Sequence, residues 1–162
     1  MIRTATPDDL PRLAELEALL FGADAWSAES VRAEIDGDRR TFLVRVLEGE
    51  VVGYVVTLAS GDVVDLTRIG IEPRLQREGY ATHLLAEALE HVGDAERMML
   101  EVSVENVPAT KFYARHGFFP IDVRRHYYRD GSDAVVMMRP LVVPEAREEA
   151  STRGRRASGL GH

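Results

Sequence analysis

The chain contains no cysteine among its 162 residues. Disulfides, thiolate metal sites and a cysteine nucleophile are therefore excluded. The same absence fits a reducing compartment, so a cytoplasmic location is expected. Long apolar runs are also missing. None approaches the roughly 20 residues a membrane helix needs, and Met1-Ile2-Arg3 leads into no signal-peptide core. Basic excess is lacking, since 20 Lys and Arg face 27 Asp and Glu for a net charge of −7. General nucleic-acid binding wants the opposite balance. The five histidines, His83, His91, His116, His126 and His162, show no metal-ligand spacing, and no metal site is expected. No serine sits in a nucleophile elbow, no Gly-Lys-Ser/Thr closes a Walker loop, and three-glycine Rossmann spacing and internal repeats are absent.

What is present suits one globular domain. The length can bury a sizeable core, and 45% hydrophobic with 29% charged residues is ordinary composition. Ile2 to Ala5 reads as a short strand. Thr6-Pro7-Asp8-Asp9 then opens a helix whose buried side carries Leu10, Leu13, Leu16, Leu20 and Phe21. Ser27 caps a second helix with Val31 and Ile35. Trp26, just ahead of that cap, reads as a core or staple residue or as a ligand contact. Thr41–Leu47 and Val51–Leu58 form a hairpin through Glu48-Gly49-Glu50, and Val63–Ile71 is the next strand. A helix follows from Tyr80 to Val92, then a strand from Met98 to Val104. Another helix runs from Asn106 to a His116-Gly117 cap, and two strands, about 119–125 and 134–139, turn through Asp130-Gly131. This order predicts a mixed α/β sheet with helices on both faces. From Pro144 onward Glu, Arg, Ala, Ser and Gly lose all periodicity, which reads as a disordered tail over 144–162 behind a folded domain of 1–143.

The chain turns on Arg74-Leu75-Gln76-Arg77-Glu78-Gly79-Tyr80-Ala81-Thr82. A strand ends, a short turn follows, and an amphipathic helix begins with its orphan N–H groups around Gly79 to Thr82. Those donors and the positive end of the helix dipole suit an anion. Arg74 and Arg77 add charge there, while Gly79 and Ala81 limit bulk where a ligand approaches. A phosphate cradle and an ordinary turn are the two readings.

Glu101 interrupts an otherwise apolar strand. It is either a residue of a solvated sheet face or a general base whose partly dry surroundings raise its pKa. Asn106 opens the next helix as an N-cap, or presents its amide to a ligand. Tyr113 lies two turns further along the same face, as a core residue or as a phenol that donates a proton to a leaving thiolate. Tyr127 and Tyr128, in Arg124-Arg125-His126-Tyr127-Tyr128, mark either a binding lip or strand-end packing.

Together these stretches resemble the GNAT family of acetyl-coenzyme A-dependent N-acetyltransferases over roughly residues 2 to 142. Gln76-Arg77-Glu78-Gly79-Tyr80-Ala81 matches its Gln/Arg-x-x-Gly-x-Gly/Ala pyrophosphate loop. Ala25-Trp26-Ser27, Leu100-Glu101-Val102 with Asn106, Phe112-Tyr113 with Gly117-Phe118, and Arg124 to Tyr128 ahead of Asp133-Ala134 are most similar to the family's RimI branch. That branch acetylates the N-terminal alanine of a small-subunit ribosomal protein.

The resemblance implies a mainly antiparallel sheet whose fourth and fifth strands splay into a cleft. It implies Glu101 as general base and Tyr113 as general acid. Ile69, Gly70 and Ile71 would pair with the pantetheine arm, Asn106 would contact it, and Gln76 to Thr82 would hold the pyrophosphate. Trp26, Tyr127 and Tyr128 are placed against the acceptor, a protein N-terminus, with direct transfer in a ternary complex. Alternatives left open are a lysine or small-amine acceptor, a non-catalytic acetyl-coenzyme A module, and RNA binding through the arginine-bearing tail.

Overall fold

The computed structural model describes residues 1–142; the tail expected at 144–162 lies outside the described residues. Seven strands form one sheet in the order β1-β2-β3-β4-β5-β7-β6. They are β1 (Ile2–Thr4), β2 (Arg40–Leu47), β3 (Glu50–Ser60), β4 (Val63–Ile71), β5 (Arg97–Ser103), β6 (Phe119–Arg124) and β7 (Ala134–Pro140). The helices are α1 (Leu10–Phe21), α2 (Ala28–Asp36), α3 (Tyr80–Leu89) and α4 (Val107–Arg115). Every strand pair is antiparallel except β4 with β5. Parallel strands need a long crossover, and α3 supplies it. The expected elements are therefore present, with small shifts at their ends.

Alternation along the strands divides the core in two. On one face Leu43, Val55, Leu66, Met98, Leu100 and Val102 pack with Leu84, Leu85 and Ala88 of α3 and with Tyr113 of α4. On the other, Phe42, Val44, Tyr54 and Val56 pack with Leu13 and Leu16 of α1 and Val31 of α2. The first helix starts as a 3-10 turn over Pro7–Asp9, and the Asp9 carboxylate accepts from the Thr6 N–H at 2.8 Å. Ser27 caps α2, its hydroxyl accepting from the Ser30 N–H at 3.1 Å. The β2–β3 turn uses left-handed backbone at Glu48 and Gly49.

Two boundaries differ from the periodicity. The stripe to Val92 suggests a longer α3, but the helix stops at Leu89. There the backbone tightens, with Glu90 N–H donating to Glu87 and His91 N–H to Ala88, so the last turn closes three residues back rather than four. Val92 still packs on the core without being helical. Val104 continues the apolar alternation of β5 but lies past its end and is exposed.

The pairing of β4 with β5 is confined to Val63–Asp65 against Arg97–Met99. Beyond those bridges the two strands separate toward their carboxyl ends, and the expected splay is present.

Candidate active site

The gap between β4 and β5 opens a cleft of ≈ 1200 Å³. Ile69, Gly70 and Ile71 lie along one wall and Glu101, Val102 and Ser103 along the other. Glu72 N–H donates to Val52 C=O, and Gly70 pairs with Tyr54 in register. Antiparallel alternation then turns the N–H and C=O groups of Ile69 and Ile71 away from β3, into the gap. The Ile71 carbonyl is taken by the Gln76 side-chain amide at 3.1 Å, which ties the following loop to the strand end. An extended chain could add to this edge as a further strand.

At one end of the gap the loop climbs into α3 through left-handed residues at Arg77 (φ 67°) and Gly79 (φ 88°). A Cβ on Gly79 would meet nothing within 4 Å. Glycine suits this left-handed backbone, and no other protein group crowds the position. Among the described residues, the N–H groups from Arg77 to Thr82 donate to no protein acceptor. Such free amides at the positive end of a helix dipole suit an anion.

The side-chain charge there differs from expectation. Arg74 donates to Glu72 at 2.7 Å and does not line the cleft. Arg77 does, and Lys111 and Arg115 from α4 join it. The spacing of these last two, four apart on one helix, was the available signal for them. Thr82 and His116 meet at 3.2 Å, linking α3 to the end of α4. Burial, then Arg139 and Arg115, hold the His116 pKa below its usual 6.5.

Asn106 is the N-cap of α4 and also borders the cleft. Its side-chain oxygen caps α4 by accepting from the Ala109 N–H at 3.2 Å, and the residue lines the cleft. Tyr113 stands on the wall as well, its ring edge-on to Phe112 and Phe118 at 5.3 and 5.6 Å. Burial, and then Tyr128, push its phenol pKa well up, so it keeps its proton. No protein group accepts from that hydroxyl among the described residues.

Glu101 faces the cleft but is not dry. Its side chain is 31% exposed and lies 3.5 Å from the Arg124 guanidinium. Tyr128 is half-buried nearby, its pKa pushed up to about 12 by burial first and then by Tyr127 and Glu101.

The remaining candidates divide. Tyr128 lines the cleft; Tyr127, exposed and edge-on to it at 4.9 Å, does not. Glu78 lies in the loop but off the cleft lining. Trp26 is also outside it, partly buried against the α1–α2 core with its ring 4.6 Å from the Arg68 guanidinium.

A profile of the Acetyltransferase (GNAT) family matches residues 10–118. The chain belongs to the GNAT acetyltransferase family. It is 33% identical to the N-alpha-acetyltransferase RimI of Mycobacterium tuberculosis over 85% of this chain and 90% of that one. It is 31% identical to a putative ribosomal protein bS18-alanine N-acetyltransferase of Bacillus subtilis, over 84% of this chain and 92% of the relative. The crystal structure of the ribosomal-protein-S18-alanine N-acetyltransferase of Escherichia coli superposes with a TM-score of 0.78 at 27% identity, covering 86% and 92% of the two chains. This GNAT acetyltransferase resembles the RimI branch across nearly the whole described domain.

The residues present suit the family's donor, acetyl-coenzyme A. Free amides with Arg77, Lys111 and Arg115 offer a place for a diphosphate, and an unpaired strand edge offers partners for an amide-bearing arm. No helix in the described residues is long and apolar enough to cross a membrane.

Proposed function

We propose that this acetyltransferase modifies the α-amino group of a protein N-terminus, with acetyl-coenzyme A as donor and an alanine-first small-subunit ribosomal protein as the physiological acceptor. The observation that carries the reading is the shared cleft. Carboxylate 101 and phenol 113 lie on its walls, beside an unpaired strand edge and a run of free amides. The Bacillus subtilis and Mycobacterium tuberculosis relatives, a putative ribosomal protein alanine N-acetyltransferase and an N-alpha-acetyltransferase, support the N-terminal acceptor.

Bound acetyl-coenzyme A supplies an acetyl group already activated as a thioester. The amides of Arg77 to Thr82, with Lys111 and Arg115, hold its diphosphate. The backbone edge at Ile69 pairs with its arm, and the Asn106 amide meets the same arm. An α-amino group has a pKa near ~7.7–8.0, so at neutral pH it arrives largely as the ammonium ion. Glu101, 3.5 Å from the Arg124 guanidinium, takes that proton directly or through one water. The Ile71 N–H hydrogen-bonds the acyl oxygen as negative charge grows there. Tyr113 gives its phenolic proton to the departing sulfur, and the phenolate regains one from the attacking nitrogen, which sheds its second proton as the amide forms. The acetyl group passes directly to the amine, since the chain has no cysteine to carry it.

The test is mass spectrometry of an alanine-first peptide that also contains an internal lysine, incubated with the protein and acetyl-coenzyme A. One acetyl group on the α-nitrogen is the expected product. Acetyl on the lysine alone, with the terminus free, would overturn the reading.

A further inference from the structure

The acceptor end of the cleft is built around a residue to which nothing above gives a role. Arg68 projects from β4 into the space between the sheet and the α1–α2 corner, with its side chain only 15% exposed. Nε and Nη2 donate to the Glu17 carboxylate at 3.2 and 2.9 Å. Glu17 is 1% exposed, and it also accepts from the Tyr54 hydroxyl and from the Trp26 N–H. A buried carboxylate in this setting needs such a partner. The guanidinium lies over the Phe21 ring at 3.9 Å and the Trp26 ring at 4.6 Å. A flat fork that stacks on two rings while donating along its edge is guanidinium geometry, and an ammonium cannot reproduce it.

The contact that reaches the site is a further one. Nη2 of Arg68 donates to the Asp24 backbone carbonyl at 2.7 Å, in the turn that joins α1 to α2. The Asp24 side chain in turn receives the Arg129 N–H, at 3.5 Å, from the β6–β7 loop. Leu20, Phe21 and Asp24 of the α1–α2 corner, Tyr128, Asp130 and Ser132 of the β6–β7 loop, and Arg68 itself all line the cleft. The α1–α2 turn is thus held by the guanidinium directly, and the β6–β7 loop meets that turn through the longer Asp24 contact.

We propose that Arg68 is a positioning residue for the acceptor. It holds the α1–α2 turn and, through Asp24, the β6–β7 loop at the separation that admits the first residue of the acceptor chain. Trp26 acts through this clamp, as a stacking support for Arg68. The proposal rests on a peptide acceptor occupying this end of the cleft. It does not involve the coenzyme end, where Arg68 makes no contact.

The experiment compares wild type with Arg68→Lys and with the double variant Arg68→Met, Glu17→Gln. The double variant leaves no unpaired buried charge and so preserves folding where the single Met change threatens it. Acceptor kinetics use a panel of peptides that differ only in the first residue, and coenzyme A binding is followed by calorimetry. For the alanine-first peptide both variants should raise KM by about tenfold or more, with a smaller change in kcat and unaltered coenzyme A affinity. Preference among first residues should narrow, more in the double variant than in Arg68→Lys. Folded variants with wild-type KM and wild-type preference would overturn the proposal. If wild type acetylates a small-amine probe but no peptide terminus, the peptide reading fails by itself. An unchanged KM for that amine in both variants would then remove the role of Arg68 as well.

Discussion

The two ends of the cleft are built from different materials. At the end proposed for the coenzyme the available groups are largely backbone: the amides of Arg77 to Thr82 and the edge of Ile69 and Ile71, contributed by one continuous stretch. At the end proposed for the acceptor they are side chains drawn from α1, β4, β5 and the β6–β7 loop, beside a buried ion pair. A backbone site tolerates change in side chains as long as its dihedrals persist. The side-chain site depends on each partner. Donor recognition should therefore survive most substitutions in the cleft, and acceptor choice should shift with few.

The largest effects are expected where both ends meet. Tyr113→Phe should lower kcat by about 10²–10⁴, the usual scale for a positioned acid, and leave coenzyme A affinity intact. Glu101→Gln should fall in the same range of about 10²–10⁴ with part of the loss regained at high pH, where the amine loses its proton unaided. Steady-state rates across pH check both, and undiminished turnover in either variant removes the assigned role.

Next comes stability at the acceptor end. Arg68→Met alone leaves Glu17 buried without its cation and should cost about 3–5 kcal/mol in urea unfolding. Adding Glu17→Gln should restore most of that. A single variant as stable as wild type would mean that the clamp is not an interdependent unit.

At the coenzyme end a smaller penalty is expected. Gly79→Val forces a branched side chain into φ 88° and should cost about 1–2 kcal/mol, with weaker coenzyme A binding by calorimetry. An alanine at Tyr80, exposing the same amides, should bind coenzyme A nearly as wild type does.

The smallest effect is a pH dependence. His116 has its pKa lowered in the folded protein, chiefly by burial, so the unfolded chain binds its proton first. Its contribution to stability is complete above pH 6.5 and is lost as pH falls from there through the folded value. Thermal unfolding between pH 7 and 5 should show a shallower acid slope for His116→Gln than for wild type.

The same contrast decides what was legible in the sequence. The run of free amides was readable because strand, turn and helix follow one another in the chain, and each leaves its own periodicity. Glu101 was visible as a charge in an apolar strand, although the salt contact with Arg124 was not, since its partner lies on β6. Arg68 and Glu17 were not readable. One looks like an ordinary polar position of β4 and the other like the solvated side of α1, and only the packing of α1 on the sheet brings them together. Arg74 misled for the opposite reason: Glu72, two residues away, captures it. The end of α3 depended on a tightened last turn, which hydrophobic spacing does not encode.

Amide NMR during titration with coenzyme A tests, residue by residue, the proposal that the coenzyme lies in the gap between β4 and β5. The largest shifts should fall on Ile69, Ile71 and the run from Arg77 to Thr82, with β1 and α2 silent. Saturable binding that leaves those amides unmoved would contradict it.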